Sequence, residues 1–183
     1  EAIVNAGCLK TIITYAFQSA ETSGNVQYQA IAALRGLSTH PTLRMMVVRE
    51  GALEPLNLAS RSDSIEIQRE AAATLCNLAM AEENKVTMAR GGITPVLLAL
   101  MESKDNEREL HAICALANMA EMLEGRTQKR MIEDGCLHKV VQLAESDDAE
   151  VKREVARALA LFAAKRESQA AVVKSGGVYA LIK

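Results

Sequence analysis

Three residues with metal-binding side chains recur at helical spacing in the middle of the chain: Glu107, His111 and Cys114. Residues three and four positions apart lie on one face of a helix, so these side chains can approach a common ion. Structural zinc takes four ligands, usually from closely spaced Cys and His pairs, and this cluster offers three. We therefore expect no metal site and no cofactor, and we interpret His111 as a residue at the polar margin of a helix.

Motifs for catalysis are absent from the sequence. No serine lies in a strained glycine-rich turn beside a matching His and Asp, the arrangement that activates a nucleophile. The pair Gly91 and Gly92 and the pair Gly176 and Gly177 follow no predicted strand, so neither is expected to form a phosphate-binding or dinucleotide-binding loop. We expect a protein without enzymatic activity.

Charge and composition argue against further classes of function. Lys and Arg number 21 against 23 Asp and Glu, and no basic run reaches five residues, so nucleic acid is not an expected ligand. No apolar stretch approaches the roughly 18 to 20 residues that a membrane span needs, and no secretory signal is visible. We predict a cytoplasmic protein without direct membrane insertion. Segments outside this sequence would decide between nuclear and membrane-peripheral placement.

The elements that position these side chains recur along the chain. A glycine, a small residue and an aliphatic residue follow one another five times, with the glycines 44, 40, 44 and 41 residues apart. A period in the low forties is typical of a helical solenoid, in which each unit buries its apolar face against its neighbours. Apolar residues at helical spacing on both sides of each glycine predict two short helices that meet at a bend. The copies are Gly7-Cys8-Leu9, Gly51-Ala52-Leu53, Gly91-Gly92-Ile93, Gly135-Cys136-Leu137 and Gly176-Gly177-Val178.

A longer third helix is predicted after each bend. Its apolar stripe pairs an alanine or valine with a leucine four positions later, which is helical spacing. Acidic residues at its start are suited to cap it, and we expect the caps to be Asp63, Asp105 and Asp147. The stripe consists of Ala30 and Leu34, Ala71 and Leu75, Ala112 and Leu116, and Val155 and Leu159.

The third helix also carries the phrase Leu75-Cys76-Asn77-Leu78-Ala79 in one unit and Leu116-Ala117-Asn118-Met119-Ala120 in the next. With three helices per unit and a glycine bend between the first two, the chain resembles armadillo repeats. The resemblance implies an all-α fold, a right-handed superhelical α-solenoid of armadillo repeats with three helices per repeat. HEAT repeats are the nearest alternative, but they usually have two helices per unit and lack the internal glycine bend.

The resemblance extends over the whole chain, which we interpret as a single array over 1–183. It divides into a partial repeat at 1–40, complete repeats at 41–81, 82–124 and 125–165, and a partial repeat at 166–183. The sequence begins without methionine and ends five residues after its last glycine tripeptide. We therefore expect a fragment of a longer protein.

The resemblance also implies a binding surface. In armadillo solenoids the third helices line a concave groove that holds extended peptides, and an asparagine near the end of each third helix often bonds the peptide backbone. The positions that match this asparagine are Gly36, Asn77, Asn118 and Leu161. One turn earlier, where import receptors often carry tryptophan, this chain has Ala32, Ala73, Cys114 and Arg157, and a further turn earlier it has Tyr28, Arg69, Leu110 and Arg153.

Two departures from that pattern change the expected ligand. Only two positions hold asparagine, and the chain has no tryptophan to hold lysine stems by cation–π contact. Arginines project toward the predicted groove instead, and arginine grips carboxylates bidentately, which favours an acidic or mixed-charge peptide. For Arg153 and Arg157 the alternative is an ion-pair lattice with Glu150 and Glu154 of the same helix, formed without any ligand. The predicted groove residues are Tyr28, Arg35, Arg69, Ala73, Asn77, Cys114, Asn118, Arg153 and Arg157.

We therefore predict a non-catalytic protein–protein interaction scaffold that binds an extended segment of a partner protein in this groove. Among armadillo proteins it is closer to scaffolds of the catenin or vacuolar-adaptor kind than to import receptors. The alternatives are nuclear-import-type recognition of basic signals, or a regulatory or structural module within a larger multidomain protein. Apolar faces at the two ends of the array would also allow copies of the chain to associate.

Overall fold

The computed structural model describes residues 7–17, 20–122 and 125–182. All regular secondary structure in these ranges is α-helical, as predicted. Within the same ranges, none of the helices combines the length and the apolar character that crossing a bilayer requires. In chain order the helices are α1 (Cys8–Ala16), α2 (Ala20–Ser38), α3 (Pro41–Arg49), α4 (Leu53–Ala59), α5 (Ile65–Leu78), α6 (Glu82–Arg90), α7 (Ile93–Leu100), α8 (Asn106–Met122), α9 (Gly125–Glu133), α10 (Cys136–Leu143), α11 (Ala149–Ala163), α12 (Arg166–Lys174) and α13 (Gly177–Ile182).

The helices follow one another in triplets of two short helices and a longer one, which confirms the predicted three-helix unit. Complete triplets are α3 to α5, α6 to α8 and α9 to α11. Helices α1 and α2 are the second and third helices of the preceding unit, and α12 and α13 are the first and second of the following unit. The third helices are therefore α2, α5, α8 and α11, and each packs against the next one along the chain.

A glycine with positive φ precedes the second helix in all five units, at Gly7, Gly51, Gly92, Gly135 and Gly176. In the middle unit the sequence alignment placed this bend at Gly91, which is wrong by one residue. Gly92 has φ 76°, whereas Gly91 ends α6 with φ −76° and its N–H donates to the Thr87 carbonyl at 2.8 Å. Glu50, Asp134 and Ser175 make the same closing bond directly before the bend glycines of other units, so Gly91 occupies their position.

The caps of the third helices also differ from the sequence expectation at two of three places. Ser64 and Asp148 cap α5 and α11, rather than the preceding Asp63 and Asp147. A capping side chain reaches the first free N–H groups of a helix only from extended backbone. Both observed caps have that backbone, with φ −82° and ψ 120°. The expected cap at Asp105 is correct, because its Oδ1 accepts from the Arg108 N–H at 3.0 Å.

The core follows the predicted stripe along the third helices. Ala71, Leu75, Ala112 and Leu116 are fully buried between α5 and α8, and Leu159 is fully buried on α11. Burial of each leucine contributes about 2 kcal/mol relative to an exposed side chain. Stacking of the units thus fixes which sides of the third helices remain open.

Candidate functional site

The predicted groove residues lie on one side of α2, α5, α8 and α11, and we call this side the third-helix surface. Arg153 is exposed, and most of the other predicted residues are half-buried. Two are nearly covered: Ala73 is 3% exposed and Asn118 is 8% exposed. Ala73 therefore offers almost no side-chain surface to a ligand. The half-buried residues are Tyr28, Arg35, Arg69, Asn77, Cys114 and Arg157.

Helices α2 and α5 are joined across this surface by two polar contacts. Arg35 Nη1 lies 2.8 Å from Glu70 Oε1. Asn77 Nδ2 donates to Ser38 Oγ at 3.1 Å, and that hydroxyl in turn donates to the Arg35 carbonyl at 2.7 Å. Asn77 therefore has a partner within the array, on the neighbouring third helix.

Helices α5 and α8 are joined by a two-point ion pair. Arg69 donates to Asp105 through Nη2 at 2.6 Å and through Nε at 3.3 Å. The second carboxylate, Glu107 Oε2, lies 3.4 Å from the same Nε. The Arg69 guanidinium lowers the pKa of Asp105 to about 2, and Asp105 raises the pKa of Arg69. Asp105 thus caps α8 and also binds Arg69 of the preceding repeat.

Helices α8 and α11 are joined by Arg157. Its Nη2 donates to Asn118 Oδ1 at 3.0 Å, lies 3.4 Å from the Cys114 carbonyl, and pairs with Glu154 Oε2 at 2.7 Å. The Asn118 amide nitrogen faces the Cys114 sulfur at 4.0 Å, which is a weak contact. The oxygen of this asparagine is therefore occupied by the array itself.

Three of these ion pairs share an asymmetry in exposure. The carboxylate side chains of Glu70, Asp105 and Glu154 are 15%, 15% and 11% exposed. Their arginine partners are 42%, 40% and 36% exposed. Each guanidinium carries five N–H donors, of which a carboxylate engages two at most. At these three pairs the third-helix surface therefore covers the negative charge and presents part of the positive charge to solvent, whereas Glu107 and Glu150 stay exposed. The three arginines are Arg35, Arg69 and Arg157.

The fourth predicted arginine pairs within its own helix. Arg153 Nη2 lies 2.5 Å from Glu150 Oε2 and 3.8 Å from Glu154 Oε1. Both Arg153 and Glu150 are largely exposed, so this pair contributes little to stability. The ion-pair lattice that the sequence left open as an alternative is thus present at Arg153 and Arg157, whereas Arg35 and Arg69 pair with carboxylates of the next repeat. Its presence does not depend on a ligand.

No metal centre forms around the cluster that the sequence singled out. In the ranges that the structure describes, no group of three His, Cys, Asp or Glu side chains is arranged to hold an ion. Burial lowers the pKa of His111, so this imidazole is neutral at pH 7.

The sequence did not identify Ser38, Glu70 and Asp105 as partners of the predicted residues on neighbouring helices. Their contacts join residues 39, 35 and 36 positions apart, slightly less than one repeat. The sequence signal that could have identified these partners is a pair of complementary polar residues at that separation. They indicate contacts between consecutive third helices once the repeat length is known.

Comparison with known families gives a match to the armadillo/beta-catenin-like repeat over residues 40–80. Two relatives are vacuolar protein 8 of Saccharomyces cerevisiae, 30% identical over 140 residues, and of Schizosaccharomyces pombe, 26% identical over 156 residues. The matches cover 76% and 85% of this chain and 24% and 28% of the relatives. The chain thus spans about a quarter of the length of the curated relatives that it matches.

Two solved structures with the same architecture are designed proteins. One is a computationally designed armadillo repeat protein for modular peptide recognition, with a TM-score of 0.91, 24% identity, and coverage of 98% of this chain and 75% of that chain. Another is a designed armadillo repeat protein in complex with peptide (KR)4, with a TM-score of 0.90 and the same identity and coverage. At this identity the likeness shows the fold.

Proposed function

The chain belongs to the armadillo repeat family, and we propose that it is a non-catalytic scaffold that binds an extended segment of a partner protein along the third-helix surface. The observation that carries the proposal is the row of half-exposed guanidinium groups at Arg35, Arg69 and Arg157, one on each of three third helices. Because each group is held by a covered carboxylate, it is fixed in place before a ligand arrives. Such preorganisation lowers the entropic cost of binding.

We infer further that the partner segment is acidic or of mixed charge. The donors that remain on the three arginines suit carboxylates, and bidentate arginine–carboxylate pairs are among the stronger hydrogen bonds. The exposed carboxylates Glu66, Glu107 and Glu150 flank the same side and would accept basic residues of a mixed-charge segment. A wholly basic peptide would instead meet guanidinium groups first.

Recognition of basic signals is the alternative within the same family, and two observations weigh against it. The oxygen of Asn118 is already bonded to Arg157. Ala73 matches a position where import receptors often carry tryptophan, and it leaves almost no accessible side chain to contact the stem of a bound lysine. The (KR)4 peptide belongs to the designed protein that holds it, and the 24% identity carries only the fold to this chain. Charge on the third-helix surface is the property that separates the two alternatives.

Calorimetric titration tests this proposal with extended peptides rich in Asp and Glu against (KR)4. The acidic peptide should bind, and Arg69→Gln should weaken it about tenfold, which corresponds to about 1.4 kcal/mol. Arg49→Gln is the matched control, because Arg49 is exposed on a first helix, away from the third-helix surface. Tighter binding of (KR)4 than of the acidic peptide would overturn the charge assignment. An equal loss in both variants would overturn the location.

A cytoplasmic location and self-association are part of the same proposal. The relatives are vacuolar proteins by name, which supports placement at a membrane periphery through other segments of a longer protein.

At the C-terminal end Val173 and Ile182 are 64% and 80% exposed, so a second copy has an apolar surface to contact. Light scattering across a range of concentrations measures this association, and a constant monomer mass would contradict it. If the array were a regulatory module of a larger protein, that protein should keep its activity when Arg69→Gln is introduced.

A further inference from the structure

A small cleft lies between the first helices α6 and α9 and the second helix α7. Its volume is about 140 Å³, and none of the described residues that line it is on a third helix. It is therefore separate from the third-helix surface. Clefts for drug-sized ligands measure about 300 to 1,000 Å³, so this one has room for a single functional group. The polar residues that line it are Arg90, Thr94, Thr127, Arg130 and Asp134.

Thr94 brings a nearly buried hydroxyl to this cleft. The residue is 2% exposed, and its hydroxyl makes no hydrogen bond to any residue in the described ranges. A hydroxyl that is removed from bulk water without a partner costs free energy. A ligand oxygen in the cleft that accepts this O–H would recover that cost.

Packing of the repeat does not explain a hydroxyl at this position. Counted from the positive-φ glycine of each unit, Thr94 is two residues after Gly92. The equivalent position is aliphatic in the other four units, so the fold itself favours an apolar side chain there. These equivalents are Leu9, Leu53, Leu137 and Val178.

Two guanidinium groups lie at the same cleft. Arg90 and Arg130 are exposed in the last turns of α6 and α9. Neither side chain forms an ion pair or a hydrogen bond with another residue that the structure describes. Asp134 also lines the cleft and is exposed, so its lining carries two positive charges and one negative charge. A ligand with one negative charge balances this lining.

We propose that the cleft binds the carboxylate of an acidic side chain from a protein partner. Arg90 and Arg130 supply N–H donors, and Thr94 and the half-buried Thr127 supply hydroxyls. A carboxylate has two oxygens that accept such bonds, and its bonds to arginine are among the stronger ones. Asp134 repels any further negative charge, which favours a carboxylate over a doubly charged phosphate.

The alternative explains the same residues without a ligand. An arginine in the last turn of a helix interacts favourably with the helix dipole, and a water molecule can accept a bond from Thr94. The two accounts differ in whether acetate binds and in whether its binding depends on the Thr94 hydroxyl.

The inference extends the proposed scaffold to a second surface. Its test uses free acetate as the probe, which does not require a peptide on the third-helix surface. Failure of acetate to bind at the cleft is therefore distinguishable from failure of the acidic peptide to bind through Arg69.

The first experiment titrates the folded chain with sodium acetate at constant ionic strength, balanced with sodium chloride, and follows amide and methyl NMR signals. Acetate is a very small ligand, so we expect a dissociation constant of roughly 1 to 10 mM. Saturable shifts should appear at Thr94, Thr127 and Met131, which line the cleft. Absence of saturable shifts there would overturn the proposal. Tighter binding of inorganic phosphate than of acetate would overturn the choice of a carboxylate.

Thr94→Val tests the hydroxyl, because valine nearly keeps the shape of the side chain. It should weaken acetate binding about threefold to tenfold and raise the melting temperature of the acetate-free chain, since a nearly buried unpaired hydroxyl is removed. Unchanged acetate binding in Thr94→Val would overturn the proposal and would favour the alternative.

Two further variants test the charges. Arg90→Gln should weaken acetate binding about threefold to tenfold. Arg49→Gln is its matched control, because both arginines lie two residues before a positive-φ glycine and Arg49 does not line the cleft. Equal losses in these two variants would overturn the location. Asp134→Asn should tighten acetate binding, and weaker binding there would overturn the role of Asp134.

Two short peptides identify the source of the carboxylate. A peptide with blocked ends and one aspartate should compete with acetate for the cleft. Competition only by a peptide whose single carboxylate is its free C-terminus would overturn the assignment to an acidic side chain.

Discussion

Arg157 Nη2 lies 3.0 Å from Asn118 Oδ1, so a guanidinium from one repeat donates a hydrogen bond to the asparagine side-chain oxygen of the repeat before it. The resemblance to armadillo proteins predicted that this asparagine pairs with a peptide backbone. In this structure its acceptor is used within the array, and its amide nitrogen has only a weak contact to the Cys114 sulfur. A bound peptide would have to use that nitrogen or displace the arginine.

The first prediction concerns the two asparagines of the third-helix surface. Asn118→Ala should lower the free energy of unfolding by about 1 kcal/mol, because it removes an acceptor from the charged Arg157 in a nearly buried position. Asn77→Ala is the matched control and should cost less, since Asn77 is half-buried and bonds a neutral hydroxyl. Urea unfolding measures both, and equal losses would show that the arginine contact adds nothing.

The second prediction concerns the pH dependence of the pair formed by Arg69 and Asp105. The pKa of Asp105 is held at about 2, below its ordinary 3.8, so the pair adds stability that is fully present above pH 3.8 and is lost as the pH falls through about 2. Asp105→Asn should therefore be less stable than the parent by at most about 1 kcal/mol at neutral pH, and most of that difference should be gone at pH 2, where Asp105 is half protonated in the folded chain.

A matched variant at the same position separates charge from capping. Asparagine caps helices about as well as aspartate, so Asp105→Asn keeps the bond from the Arg108 N–H. Asp105→Ala loses the cap as well, and should cost about 1 kcal/mol more than Asp105→Asn at every pH. Thermal unfolding between pH 2 and pH 7 measures the comparison. A pH-independent difference between parent and Asp105→Asn would contradict the pKa assignment.

The third prediction compares two glycines that both have open space where a side chain would begin. Gly51 has φ 95° at the bend before α4, so Gly51→Ala should lower the free energy of unfolding by about 1 kcal/mol through backbone strain alone. Gly36 lies inside helix α2 without positive φ, so Gly36→Ala should raise it by about 0.5 to 1 kcal/mol. Urea unfolding reports both signs, and the same sign in both variants would contradict this account.

The fourth prediction concerns a nearly buried lysine on the first helix of the middle repeat. The Lys85 side chain is 5% exposed, and its Nζ lies 3.0 Å from Glu121 Oε2, which is on a side chain 54% exposed. Glu121→Gln should cost about 1 to 3 kcal/mol, because it leaves a buried ammonium without its counter-charge. Lys85→Met removes the charge together with the need for a partner, and should change stability by less than about 1 kcal/mol. Urea unfolding measures both variants, and equal losses of unfolding free energy would show that packing of the Lys85 side chain, rather than its charge, determines the effect.

The fold was predictable because a period in the low forties determines a stacked architecture whatever the details of each unit. Features that depend on a single residue were less predictable from the sequence. The cap at Ser64 rather than Asp63, and the bend at Gly92 rather than Gly91, depend on backbone angles that neighbouring residues of similar propensity do not distinguish. In both cases the prediction missed by one residue.

The candidate site was predictable as a set of positions but not as a set of contacts. Helical spacing placed Arg69, Asn118 and Arg157 on one side of the third helices. Their partners lie on other repeats, because neighbouring third helices meet with an offset that only the packed core determines.

Helix α8 receives contacts from both sides. Arg69 reaches forward to it from α5, Arg157 reaches back to it from α11, and every residue from Ala115 to Ala120 is buried. Since each unit of such an array touches only its neighbours, fraying from either end must pass through other helices before it reaches this one. The backbone amides of α8 should thus be the last to exchange with deuterium, and those of α1 and α13 the first. The middle of the array would then stay folded while its ends open to solvent.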